Sequence, residues 1–252
     1  MLKNLLRAAA VGGLLMATQT AHAAVTVVVG PAPGQSSAVY TPGGSNNTAT
    51  FNFNGFSGNN APVIPGLTST LALKLLGVTY GATSTFYSFE YVLTNTSSNG
   101  VTSRASVFGF NSNPDLKKAF YVSGPFDKIG SGNLSNGNNP LEFCIKNSTG
   151  NGNGGANNCA GGNNGGPTNG NSFTGSFDLE YAGVVNSIDL TDFGVRYQSI
   201  EGVTGVESGI GRPIMSGIVP EPATWAMMIL GFGLIGGALR SRKAQAVRVT
   251  YA

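Results

Sequence analysis

Between positions 24 and 217, apolar residues recur at every second position in short runs, and the runs are separated by clusters of Gly, Asn, Pro and Ser. A period of two puts alternate side chains on opposite faces of an extended strand, whereas a helical face would repeat every three to four positions. The pattern predicts strands over 25–29, 49–53, 70–76, 85–94, 101–110, 119–122, 141–145, 172–179 and 187–198. Short strands with turn-rich links of this kind predict an all-β body, a single antiparallel β-sandwich of jelly-roll or immunoglobulin-like topology. Over 85–94, Tyr87, Phe89, Tyr91 and Leu93 share one face, and Phe86, Ser88, Glu90, Val92 and Thr94 share the other. The first set is the expected core stripe, completed by Phe108, Phe110, Phe120, Phe143, Phe177, Phe193 and Tyr197. The alternative use of an aromatic row is a sugar-stacking platform; alternation with polar residues inside strands favours packing.

The stretch 150–171 (GNGNGGANNCAGGNNGGPTNGN) breaks the alternation. Gly and Asn tolerate left-handed backbone angles and offer little to a core, so this is a long loop. It contains no Asp or Glu, which separates it from calcium-binding repeats, because hard cations take carboxylate ligands. Cys144 in a strand and Cys159 in this loop are the only two cysteines. In an exported chain an even pair is most simply a disulfide, and the spacing is not the CxxC of a redox-active pair.

The two ends have a different pattern. Lys3 and Arg7 precede the uncharged run 8–17 (AAAVGGLLMA), followed by Thr18-Gln19-Thr20 and Ala21-His22-Ala23. A basic start, a short apolar run and small residues at Ala21 and Ala23 form a signal peptide over 1–23, cleaved after Ala23 by signal peptidase. At the other end, 223–239 (ATWAMMILGFGLIGGAL) is free of charge and would make roughly 26 Å of helix, near the low end for a membrane span. Arg240, Arg242 and Lys243 follow at once, which by the positive-inside rule places this end in the cytoplasm and the body outside. Trp225 sits at the outer end of the span. Residues 244–252 form a short tail beyond it.

Immediately before the apolar run stands Pro220-Glu221-Pro222, then Ala223-Thr224-Trp225-Ala226. Two prolines keep the glutamate in extended backbone, accessible to a protease in the membrane. Pro-Glu-Pro, a glycine-rich apolar helix and a basic cluster together resemble the PEP-CTERM sorting signal over 218–243, in its PEPxxWA form. The same tail also goes by the label ice-binding protein C-terminal domain. The resemblance implies recognition by an exosortase, a membrane cysteine protease-transpeptidase of Gram-negative bacteria that make exopolysaccharide. It implies transient anchoring at the inner membrane, then passage to the cell surface or extracellular matrix, with Pro220, Glu221, Pro222, Trp225, Ala226, Arg240, Arg242 and Lys243 as the motif residues. The body, over 24–217, is similar to the cistern-family PEP-CTERM group at Leu141-Glu142-Phe143-Cys144, Asn158-Cys159-Ala160-Gly161-Gly162 and the stretch 192–200 (DFGVRYQSI). That resemblance implies a disulfide and no activity.

Charge refines this picture. The net +3 arises at the ends, because positions 24–217 hold 8 basic and 10 acidic residues. A body without basic excess is not a nucleic-acid binder. The single histidine, His22, lies within the signal peptide, so imidazole bases, catalytic triads and His-ligated zinc are not expected in the mature protein. There is no phosphate-binding glycine motif at a strand-to-helix turn, and no cofactor is expected. Carboxylate chemistry needs only two suitably placed acids, and the candidates are Asp178 with Glu180 and Asp189 with Asp192. Asp189, Asp192 and Asp127 are also the candidate calcium ligands, with solvated strand edges and turns as the simpler role for all of them. Asn46, Asn95, Asn133 and Asn147 begin N-glycan acceptor triplets. The sequence thus points to a non-enzymatic exported protein of the exopolysaccharide layer, with a glycan-binding module using exposed Tyr and Asn, or a carboxylate glycan hydrolase, as alternatives.

Overall fold

The computed structural model describes residues 25–29, 36–42, 47–58, 60–134, 140–147, 158–161 and 165–214. The chain divides into two compact units, Met1–Ile214 and Met215–Ala252. The signal peptide, the apolar run 223–239 and the sorting motif all lie outside the described residues.

The strands are β1 (Thr26–Val29), β2 (Ser36–Tyr40), β3 (Thr48–Phe56), β4 (Val63–Tyr80), β5 (Ser84–Asn95), β6 (Thr102–Asn113), β7 (Lys118–Ser123), β8 (Lys128–Gly132), β9 (Leu141–Lys146), β10 (Ser172–Ala182), β11 (Ile188–Glu201) and β12 (Ser208–Ile214). Every predicted strand is present, and no helix occurs among the described residues. The sandwich expectation is corrected in one respect. The strands do not separate into two sheets but join one antiparallel sheet in the order β7-β10-β5-β4-β3-β12-β11-β6-β9-β8, with β2 also on β11 and β1 on β2. The sheet is nearly closed as a barrel, and its end strands β7 and β8 approach one another.

Bulges allow one sheet to curl this far, since each extra residue bends and twists its strand. The β4–β5 register shifts between Leu75 and Gly77. On β11 the β6 register shifts between Thr191 and Gly194, at Asp192, whose φ is 55°. Around that kink β11 changes neighbours: Ile188–Thr191 pairs with β2, and Val195–Gln198 pairs with β12. In turn, β12 pairs with β3, so it is the link between β3 and β11.

The interior is filled by rings. Tyr87, Phe89, Tyr91 and Leu93 are all 0% exposed, as the two-residue period requires. Phe51 stacks on Phe193 at 4.1 Å, Phe110 on Phe143 at 4.6 Å, and Phe177 lies 4.6 Å from Phe143. The Tyr40 hydroxyl donates to the Leu73 carbonyl at 3.0 Å, and the Tyr197 and Ser69 hydroxyls share a hydrogen bond of 2.7 Å. Burying a polar tip without such a partner would cost about 1–3 kcal/mol. Phe120 departs from the expected core set. It is half-buried on the outer face, with the Lys118 ammonium 4.5 Å from its ring centre and Phe86 as its ring neighbour at 6.4 Å. β7 is only six residues long, and its alternation does not say which face is inward.

Three strands were hidden from pattern reading. β2 turns Ser36, Ala38 and Tyr40 inward and Ser37 and Val39 outward, so its hydrophobic contrast is close to inverted. β8 (KIGSG) and β12 (SGIGRPI) read as turns because of their glycines. On β12 the glycines serve close packing: a Cβ on Gly211 would lie 2.9 Å from the Tyr197 ring, and one on Gly209 would lie 2.6 Å from the Phe56 carbonyl oxygen.

Candidate functional site

The outer face of β6 and β9 carries the most elaborate arrangement outside the barrel core. Gly109 on β6 sits opposite Cys144 on β9, and no side chain separates the strand from what packs above it. Cys144 bonds Cys159, with a Cα–Cα distance of 5.8 Å. The expected disulfide is therefore formed, and it binds the described part of the Gly/Asn-rich loop to the barrel wall. Beneath it Val107, Leu134, Leu141 and Ile210 make a second, smaller apolar cluster with the two cysteines, and Phe56 packs against it. The loop is not purely solvated, because Gly161, with φ +58°, lies flat on Val107 where a side chain would collide.

Two cations hold the same segment. The Lys146 ammonium donates to the Asn158 carbonyl, and to the Asn158 side-chain oxygen at 3.2 Å. The Arg196 guanidinium donates to the Ala160 carbonyl. The Cys159 N–H donates to the Asn133 carbonyl at 3.2 Å. Burial, with the nearby Lys128 charge adding to it, pushes the Lys146 ammonium below its ordinary value; burial alone does the same to Arg196. Sequence reading missed this clamp. Its one available signal was a lysine directly after the apolar residues Phe143, Cys144 and Ile145, where a buried strand would otherwise continue.

At one end of the barrel a buried polar network closes the core. The Asn95 side-chain amide donates to the carbonyls of Ser103 at 2.9 Å and Pro167 at 3.2 Å, and its Oδ1 accepts from the Ser97 N–H at 3.0 Å. Asn169 donates to the Ser97 and Val101 carbonyls and accepts from the Ser103 N–H. Asn95 is 0% exposed, which removes it as a glycan acceptor in the folded protein. Asn133 is exposed and Asn147 half-buried; Asn46 lies outside the described residues.

The candidate acids fall into separate settings. Asp178 and Glu180 do share the outer face of β10. Glu180 is engaged by the Lys117 ammonium at 2.5 Å and the Ser84 hydroxyl at 2.7 Å. Hydrogen bonds from Lys117 and Ser84 hold its carboxyl below the usual carboxylate range. Asp189 and Asp192 straddle the β11 kink rather than sharing a face, and Asp192 accepts from the Asn111 amide at 2.9 Å. Asp127 is exposed beside β8. Among the described residues no three His, Cys, Asp or Glu side chains lie close enough together to hold a metal ion.

Asp189 provides a test of how the kink is balanced. Burial raises its carboxyl above the usual range, against a smaller opposing hydrogen bond from Ser37, and its Oδ1 has no hydrogen-bond partner. Because the folded state favours the protonated acid, the ionised form is a penalty that disappears as pH falls through the raised folded value. Asp189→Asn should therefore stabilise the body by about 1 kcal/mol at neutral pH. Chemical denaturation should show that gain shrinking as pH falls through the raised folded value; a gain independent of pH would contradict this account.

Comparison with known proteins falls on the other unit. Residues 219–243 match the family model described as the PEP-CTERM protein-sorting motif. No curated protein and no solved structure matches the chain. No helix among the described residues is long and apolar enough to cross a membrane, and the apolar run 223–239 lies outside them. The matched stretch contains Pro220-Glu221-Pro222, Trp225-Ala226 and the basic cluster, the arrangement that an exosortase recognises. With that motif behind an all-β, disulfide-stapled body, the chain is a PEP-CTERM sorting domain-containing protein, exported and sorted by exosortase toward the cell surface.

Proposed function

We propose that the body is a non-enzymatic surface or extracellular-matrix module of the exopolysaccharide layer, delivered through a cleaved signal peptide and freed from its membrane helix near Pro220-Glu221-Pro222. The observation that carries this reading is the sorting motif itself at 219–243. The character of the body supports it. The barrel interior is occupied by aromatic rings, and the outer wall is reinforced by a disulfide, the buried Lys146 and the half-buried Arg196, which suits a domain that must persist outside the cell. The hydrolase alternative needs a protonated acid near neutral pH, and the Lys117 ion pair holds Glu180 in the opposite state. A glycan-binding role would fall to the exposed tyrosines, Tyr80 and Tyr121.

The reading is tested on the full chain in a host that carries an exosortase. Wild type should yield a mature product whose mass lacks both 1–23 and Trp225. The triple change Pro220→Ala, Glu221→Ala, Pro222→Ala should leave nearly all of the protein full-length at its C-terminus and in the membrane fraction. A wild-type product that retains Trp225 would overturn processing. Reducing-sugar release that is lost in Asp178→Asn or Glu180→Gln would overturn the non-enzymatic assignment.

A further inference from the structure

Lys146, the last residue of β9, is 1% exposed, a depth at which lysine is rare unless a partner holds it. Its ammonium donates to the Asn158 carbonyl and, at 3.2 Å, to the Asn158 side-chain Oδ1. That oxygen belongs to a carboxamide, so the lysine nitrogen lies beside an acyl carbon, Cγ. The same Oδ1 accepts from the Ala160 N–H at 3.2 Å. An N–H aimed at a carbonyl oxygen stabilises the negative charge that collects there when a nucleophile attacks the carbon.

The segment that carries this amide is fixed on both residues after it. Cys159 is bonded to Cys144 and donates its N–H to the Asn133 carbonyl, and the Arg196 guanidinium donates to the Ala160 carbonyl. Two groups held in contact in this way react as if at very high concentration, with effective molarities of about 10⁵ M or more for well-oriented pairs. The charge around the amine favours its reactive form. Burial, and then the Lys128 charge from the paired position on β8, shift Lys146 toward the neutral amine. Arg196 on β11 is the other cation directed at this segment. Asp127, whose N–H donates to the Lys146 carbonyl, is exposed.

We propose that Lys146 and Asn158 join in a covalent side-chain amide as the exported protein ages, a second staple beside the disulfide. The ammonium first sheds a proton to solvent. The neutral Nζ then attacks Cγ of Asn158, and a C–N bond forms. The bond from Cγ to the original side-chain nitrogen breaks, and that nitrogen leaves as ammonia with a proton taken from the attacking nitrogen. No oxidant, reductant or cofactor enters. Because the reaction waits on the neutral amine it is slow, and a freshly folded chain carries the hydrogen bonds and the disulfide alone. A disulfide opens to a reductant and an amide does not, so the aged wall stays closed where the disulfide is lost. This chemistry needs only the folded body and stands apart from sorting.

The test uses the mature exported protein, fresh and after incubation at several pH values, mapped by trypsin and tandem mass spectrometry once the disulfide is reduced. Fresh protein should be cut after Lys128, Lys146 and Arg196, giving separate peptides 129–146 and 147–196. Aged protein should give, in growing proportion, one species in which these stretches stay joined through Lys146 and Asn158, uncut after Lys146 and lighter by one ammonia. Its rate of appearance should rise about tenfold per pH unit while the amine is mostly protonated. Lys146→Arg keeps a cation for Asn158 but supplies no neutral nitrogen, and Asn158→Ala keeps the amine but removes the acyl group; neither should form the joined species. An aged wild type that remains fully cut, or a joined species that persists in Asn158→Ala, would overturn the proposal. Ammonia loss with cleavage after Lys146 intact would overturn it too, since that marks an asparagine closing on its own backbone.

Discussion

Replacing Phe177 with alanine should destabilise the body by about 3–5 kcal/mol, the usual range for removing a fully buried phenyl ring. For a domain of this size that lowers the melting temperature by roughly 10 °C. Phe177 is 0% exposed and stands at the meeting point of the ring lattice, 4.6 Å from Phe143, 5.5 Å from Phe89 and 6.1 Å from Phe110. These neighbours come from three other strands, β9, β5 and β6, so the vacated volume is walled from several directions and has little freedom to collapse. Interior packing is dense, and each ring lining the gap would lose contact energy with nothing to replace it. Phe120→Ala on the outer face should cost under about 1 kcal/mol, since the ring is only half-buried, beside Lys118 and Phe86. Thermal unfolding of both variants checks the assignment. Equal losses would mean that Phe120 belongs to the core after all, or that Phe177 does not.

The second large effect belongs to the disulfide. The double change Cys144→Ser, Cys159→Ser should cost about 3 kcal/mol from the unfolded chain alone, given a sequence separation of 15. The native state adds its own loss, because both cysteines are members of the small apolar cluster with Val107, Leu134, Leu141 and Ile210. Serine hydroxyls in that setting would be buried polar groups without evident partners. The loss should also be localised. Hydrogen exchange should accelerate at 158–161 and on the outer side of β9, while the ring lattice on β5 and β10 keeps its protection. If the whole barrel exchanged together, the loop clamp would be part of the main cooperative unit and the two clusters would not be separable.

How much of this was legible in the sequence depends on what an alternating pattern encodes. It reports which side chains point inward, and for Tyr87, Phe89, Tyr91 and Leu93 it was right at every position. It carries no information on whether an inward face looks onto a second sheet or onto the far side of the same one. The choice between sandwich and near-closed barrel was therefore hidden, since it rests on the kink at Asp192 and the register shifts, and a bulge adds one residue without a distinctive signature. β12 escaped because its glycines are there for packing against Tyr197 and Phe56, while in sequence they mimic a turn. The Cys144–Cys159 link was legible because only two cysteines exist. The Lys146 and Arg196 clamp was not, because each cation reaches carbonyls that any residue could supply. The sorting motif was fully legible, being a linear signal read by another protein rather than a product of folding.

The position of β12 in the sheet has a consequence for the timing of secretion. Strands leave the translocation channel in chain order, yet the sheet is joined across its middle by β12, the last strand to emerge, which links β3 to β11. Until Ser208–Ile214 has crossed, no ladder joins the half-sheet that ends at β3 to the half-sheet that begins at β11, and β3 must wait for a partner from the far end of the described body. Such long-range closure is slow. The sorting motif begins at residue 219, a few residues after this keystone strand. Because the motif follows β12 in the chain, a chain whose sorting motif has emerged has already delivered the strand that completes the sheet.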